Sequence, residues 1–162
     1  MSQTQFRFGS SFQEGTAAEQ EFIKLRGDNF IRKASRMEDI HEHWDVLDKE
    51  YGKVDVKGAK RKYRNGPIDY SIHWWEFKNV AGRAGWGEPN DTERLIAFRT
   101  ENAYVLVNPS KVNALLAAKC VDHFRGPWGL NTRKGRQDLA AMIPTDFFVD
   151  NSEYILEIDF AE

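Results

Sequence analysis

A single cysteine, Cys120, leaves this 162-residue chain without the means to form an internal disulfide or a cysteine-cluster zinc site. Long apolar runs are missing as well. None approaches the roughly 20 residues needed to span a bilayer, and the opening MSQTQFRFGSSFQEG has no hydrophobic signal core. A reducing cytoplasm, away from any membrane, is the expected setting. The four histidines, His41, His43, His73 and His123, lack the close paired spacing of a zinc site. Neither sign of charge dominates: 23 Lys and Arg face 25 Asp and Glu, and the net charge of −2 excludes a binder that holds nucleic acid by bulk charge alone. No internal repeat or low-complexity tract is present.

What the chain does have is enough apolar matter for one core, 41% hydrophobic with 13% aromatic residues. Residues 15–162 read as a single domain, and residues 1–14 as a loosely held, flexible arm. The charge is unevenly placed. From Lys53 to Arg64 six bases (Lys53, Lys57, Lys60, Arg61, Lys62 and Arg64) surround one acid, Asp55, a local net of +5; from Asp146 to Glu162 there are six acids and no base. A basic run is ordinarily a solvated face or a protected edge strand. An acid embedded in such a run, as Asp55 is here, is not explained by solvation or edge protection.

Helical spacing of Ala18, Phe22 and Leu25 predicts a helix over 16–26, with Thr16 and Glu19 placed as a capping box and Gly27 as its terminator. HWDVL (43–47) and GKVDVKGAK (52–60) read as two strands of a hairpin, and DYSIHWWEFKNV (69–80) as a third strand. A glycine-rich loop, GRAGWGEPND, precedes a second hairpin formed by LIAFRT and AYVLVN around Glu101–Asn102. Pro109 and Ser110 open a helix expected to run to Phe124, and EYILEIDF ends the chain as a strand. This order predicts an α/β or α+β domain with a central mixed sheet flanked by helices.

Asp45 and Asp55 fall on adjacent predicted strands, and Lys57, two residues after Asp55, shares its face. Two carboxylates held together repel each other, and a hard divalent cation such as Mg²⁺ or Mn²⁺ relieves that repulsion. A cation held there would supply hydroxide near neutral pH and stabilise a phosphodiester under attack. The adjacent lysine is suited to orient water or offset growing charge, and the bases downstream are suited to a polyanionic backbone.

The ordered set of an acidic helix, a strand Asp and a strand Asp-x-Lys resembles the PD-(D/E)xK, or restriction-endonuclease-like, nuclease superfamily. Within it, Gly15-Thr16-Ala17-Ala18-Glu19-Gln20-Glu21-Phe22 is similar to the first helix of the archaeal Holliday-junction resolvases, Asp45 to their strand Asp, and Asp55-Val56-Lys57 to their acid-x-Lys strand. The HWD, DVKG and HWxE pieces are also similar to small proteins of tailed bacteriophages. His43-Trp44 stand where the superfamily's name carries a proline.

The resemblance implies a restriction-endonuclease-like core and metal-dependent hydrolysis of DNA, with structure-selective cutting of branched DNA in a phage setting as its narrower form. It implies that Glu19, Asp45 and Asp55 bind Mg²⁺ or Mn²⁺, that Lys57 completes the catalytic set, and that Lys60, Arg61, Lys62 and Arg64 hold the backbone. A homodimer follows from the resemblance alone. Glu21 competes with Glu19 for the helix position, and Asp48 with Asp45 for the strand position. Glu76, His43 and His73 lie close to the site strands in the predicted order. Trp86, set between glycines, is placed to stack on an unpaired base. Arg133, Lys134 and Arg136 form a second basic cluster. A non-catalytic DNA-binding or assembly protein on the same fold, and an RNA-directed nuclease, are the competing functions.

Overall fold

The computed structural model describes residues 9–61, 65–122, 126–132 and 135–159. Lys62 and Arg64 of the predicted backbone contact, together with His123, Arg133, Lys134 and residues 1–8 of the predicted arm, lie outside the described residues.

The domain opens with helix α1 (Gly9–Arg26), which starts seven residues before the expected position, so residues 9–14 are helical and Thr16 lies inside the helix instead of capping it. A 3₁₀ turn (Gly27–Asn29) leads to strand β1 (Phe30–Lys33). Helix α2 (Arg36–Glu42) follows, and here the capping box is real: Ser35 Oγ accepts from Glu38 N–H while the Glu38 carboxylate accepts from Ser35 N–H. Neither β1 nor α2 was predicted.

Strands β2 (Val46–Asp48) and β3 (Gly52–Lys57) form the expected hairpin. The predicted third strand divides in two: a short hairpin of β4 (Lys60–Arg61) and β5 (Ile68–Asp69) stands apart, and β6 (Ile72–Lys78) enters a different sheet. The break falls where Asp69 Oδ1 accepts from Ser71 N–H at 2.9 Å, an Asx turn.

Strands β7 (Leu95–Arg99) and β8 (Ala103–Val107) pair as expected. Helix α3 (Pro109–Lys119) is capped by the Asn108 side chain and ends five residues early. Its predicted last turn is captured by strand pairing instead, β9 (Val121–Asp122) lying parallel to β10 (Gly129–Asn131). Strand β11 (Leu139–Pro144), helix α4 (Thr145–Asp150) and strand β12 (Tyr154–Glu157) complete the chain.

The main sheet is mixed, in the order β1-β2-β3-β7-β8-β12, with β3 and β7 parallel and the other neighbours antiparallel. A second sheet runs β6-β11-β10-β9. Alternation along β7 and β8 explains the layers. Ala97, Tyr104 and Leu106 pack with Ala18 and Phe22 of α1, while Ile96, Phe98, Val105 and Val107 pack with Trp75 and Phe77 of β6 and with Val112 and Leu116 of α3. Both faces of these central strands are therefore buried, and their sequences read as nearly continuous apolar runs. The result is a mixed α/β domain with a central mixed sheet.

Candidate functional site

On β3, Val54 and Val56 turn toward α1 and join its apolar cluster. Strand alternation therefore sends Asp55 and Lys57 to the opposite side. The β2/β3 register pairs Val46 with Val54, and continued by one residue it sets Asp45 opposite Asp55. Asp45 is held there by two backbone contacts: its N–H donates to Val54 C=O, and its Oδ2 accepts from Val56 N–H, both at 2.8 Å.

Asp45, Asp55 and Lys57 line a cleft of about 320 Å³ together with Thr16, Glu19, Asp39, His43, Val56, Glu76 and Trp86. Five of these residues are carboxylates, contributed by α1, α2, the β2/β3 hairpin and β6. Asp45 and Asp55 are in hydrogen-bond contact, and burial together with the Asp55 charge pushes the Asp45 carboxyl up to about 8. The cleft therefore favours the protonated form of Asp45. Asp55 is flanked by two cations, Lys57 Nζ at 3.3 Å from Oδ1 and Arg94 Nη1 at 3.8 Å from Oδ2.

Other wall residues are engaged as well. Glu19 takes an ion pair from Lys33 at 2.9 Å, and Glu76 Oε1 accepts from Trp86 N–H at 3.1 Å. Lys57 Nζ lies 4.3 Å from the centre of the Trp86 ring. His43 ends α2 in the left-handed region (φ 59°, ψ 55°), its N–H on Asp39 C=O, and this turn delivers the chain to Asp45. Burial, reinforced by Arg94 and Lys57, lowers its imidazole below the ordinary histidine range.

Two competitors for these positions are placed elsewhere. Glu21 accepts from Arg99 Nε at 2.7 Å and from Tyr104 Oη at 2.8 Å, on the wall of a separate small cavity with Tyr70 and Ile68. Asp48 shares the inward face with Val46 and is buried against Arg26 at 2.8 Å, while its Oδ2 also accepts from the N–H groups of Glu50 and Tyr51. Its role is to close the turn.

His73 is also removed from the cleft, buried beside Phe98 and Phe148, and its burial drives the imidazole down to about 4. Lys60 and Arg61 stand on β4, beside the cleft in sequence but not in its wall; Lys60 pairs in register with Asp69, and Arg61 donates to Gly66 C=O. Trp86 is half-buried. Its neighbours Gly85 and Gly87 press on the β6 backbone so closely that a Cβ would come within 2.6 and 2.7 Å of Glu76 O, and its ring packs edge-on to Trp75.

Arg94 and Asp39 are site residues that the sequence reading missed. Asp39 belongs to α2, which the Ser35-x-x-Glu38 box could have signalled. Arg94 has no such marker, because only the parallel pairing of β7 with β3 brings it to Asp55.

Among the described residues, no three His, Cys, Asp or Glu side chains stand in a ready-made metal cluster. The donor set nevertheless fits a hard cation. It is all oxygen, it sets Asp45 and Asp55 side by side with the Asp45 carboxyl raised by burial and by the Asp55 charge, and a divalent ion is what would relieve that repulsion. Compared with family models, with curated proteins and with solved structures, the chain matches none.

Proposed function

We propose that this chain is a metal-dependent endonuclease of the restriction-endonuclease-like class, hydrolysing phosphodiester bonds in DNA. What carries the proposal is one observation: Glu19, Asp45, Asp55 and Lys57, drawn from a helix and a strand hairpin far apart in sequence, line the same cleft. The electrostatics favour the same reading. Five carboxylates outnumber the three cations beside them, Lys33, Lys57 and Arg94, and a phosphodiester is disfavoured unless a divalent cation is taken up first.

Glu19, Asp45 and Asp55 would hold Mg²⁺ or Mn²⁺. Bound there, the ion supplies Lewis acidity and an activated water. Lys57, already 3.3 Å from Asp55, would orient the attacking water or offset charge on the phosphate oxygens. Asp55 keeps Lys57 aimed, and Trp86 covers it on the other side. Lys60 and Arg61, with Lys62 and Arg64 beyond them, would engage the backbone leading into the cleft. Selectivity for branched DNA and action as a homodimer extend the proposal along its resemblance to the junction resolvases.

The test is cleavage of linear, single-stranded, nicked and four-way-junction DNA, and of RNA, with Mg²⁺, Mn²⁺ or EDTA. Metal-dependent cutting of DNA that falls about 10²-fold or more in Lys57→Ala and Asp55→Ala is expected. Cutting of RNA alone would transfer the activity to RNA. Binding without cutting of any substrate would overturn it in favour of a non-catalytic binding protein, and variants that cut as well as the parent would overturn the assignment of the activity to this cleft.

A further inference from the structure

We propose that Arg94 is the positioning residue of this cleft: it ties the Trp86 loop to the Asp55 carboxylate and so fixes where Lys57 stands. The inference rests on the reading of Asp55 and Lys57 as parts of a nuclease site.

Arg94 immediately precedes β7, and its side chain is only 1% exposed. Nη2 donates to Trp86 C=O at 2.7 Å and to Glu88 C=O at 3.1 Å, while Nη1 faces Asp55 Oδ2 at 3.8 Å. Its Nε and Nη1 have no hydrogen-bond partner among the described residues. A guanidinium stays charged at any pH a protein tolerates, and burying one with unused donors is costly. A surface arginine could not hold this arrangement, and a purely packing role would be met at lower cost by an apolar side chain.

The consequence is geometric. Lys57 Nζ sits between two walls, the Asp55 carboxylate at 3.3 Å and the Trp86 ring at 4.3 Å. Arg94 holds the Trp86 backbone by its carbonyl and stands against the other oxygen of Asp55. It touches neither a reacting atom nor the solvent in the cleft. Its influence reaches Lys57 only through the two walls, which distinguishes it from the residues assigned to chemistry.

The experiment reads Trp86 directly. Protein labelled with 5-fluorotryptophan carries five fluorine signals, one for each tryptophan, and Trp86→Phe assigns the relevant one. In the parent, Lys57→Met is expected to move the Trp86 signal. Arg94→Met is expected to move it too and to abolish the response to Lys57→Met; Arg94→Lys, which keeps the charge but not the fork, leaves a reduced response and can be read if Arg94→Met does not fold. A full-sized response in either Arg94 variant, or no response in the parent, overturns the proposal. The measurement uses neither metal nor DNA, so it stands whether or not the protein cuts. If it does cut, Arg94→Lys lowers kcat by about 10²-fold with KM for DNA unchanged.

Discussion

The Asp45 carboxylate accepts a 2.8 Å hydrogen bond from the backbone N–H of Val56, the residue between Asp55 and Lys57. One strand therefore carries two of the four proposed catalytic groups and also fixes a third. A shift of register by one residue would turn Asp55 and Lys57 toward α1 and break this contact at the same time. The hairpin is held in place by Val46, Val54 and Val56 in the apolar cluster under α1.

Burial and Asp55 raise Asp45 to about 8 in the folded chain, against an ordinary value of 3.8. The folded state thus binds a proton that the unfolded state has released, and stability falls as pH rises from about 4 to about 8. In EDTA, Asp45→Asn is expected to remove this dependence, because the amide can still accept from Val56 and donate to Asp55. Above pH 8 the variant should exceed the parent by at least about 1 kcal/mol, roughly 3 °C in a domain of this size. Melting curves across that range check it.

Uptake of a divalent cation must displace the Asp45 proton. Calorimetric titration with Mn²⁺ at pH 7, in buffers of different ionisation enthalpy, should show the release of roughly one proton per ion, and affinity should rise roughly tenfold per pH unit below about pH 8. Asp45→Asn should bind more weakly and lose the pH dependence. A pH-independent affinity in the parent would remove Asp45 from the ligand set.

Asp48 and Asp45, three residues apart, should behave oppositely. Removing the Asp48 carboxylate takes from the buried Arg26 guanidinium one of its two partners at 2.8 Å, Glu50 being the other, and Asp48→Ala is expected to cost about 2 kcal/mol in chemical denaturation. Mn²⁺ affinity of the folded fraction should be unchanged. Asp45→Asn reverses the pattern, with stability gained and metal binding weakened.

Gly87 lies where a Cβ would stand 2.3 Å from Trp75 Nε1 and 2.7 Å from Glu76 O. Gly87→Ala must push the loop off β6 and carry Trp86 away from Lys57. Cleavage should fall about 10²-fold, with the far-ultraviolet circular dichroism unchanged and near-ultraviolet bands from the Trp75 and Trp86 pair reduced.

The legible parts of the sequence share a cause. The Asp45, Asp55 and Lys57 set could be read because strand alternation and a short turn place neighbouring residues without outside help, and the β7/β8 hairpin could be read for the same reason. The α1 boundary was misread because Thr16-x-x-Glu19 imitates a capping box inside a helix that starts at Gly9, whereas the functioning box, Ser35-x-x-Glu38, heads a helix only seven residues long. Helical spacing has no room to show itself over so short a span. The end of α3 was misread because Val121 and Asp122 are taken by Gly129 and Leu130, a pairing that local propensity does not register.

By itself the sequence determined the α/β class, the strand pair that carries the acids, the side on which Lys57 emerges and the presence of Glu19 on the preceding helix. All of these follow from periodicities of 2 and 3.6 residues acting over short spans. Tertiary structure placed Glu19 in the cleft wall and gave Glu21 to Arg99 and Tyr104, 78 and 83 residues away. It removed Asp48 to a buried pair with Arg26, and it brought Glu76, Trp86 and Arg94 to Asp55 by laying β7 parallel to β3 and β6 in a second sheet. Burial and charge at one point depend on which distant segments meet there, and a linear spacing does not contain that information.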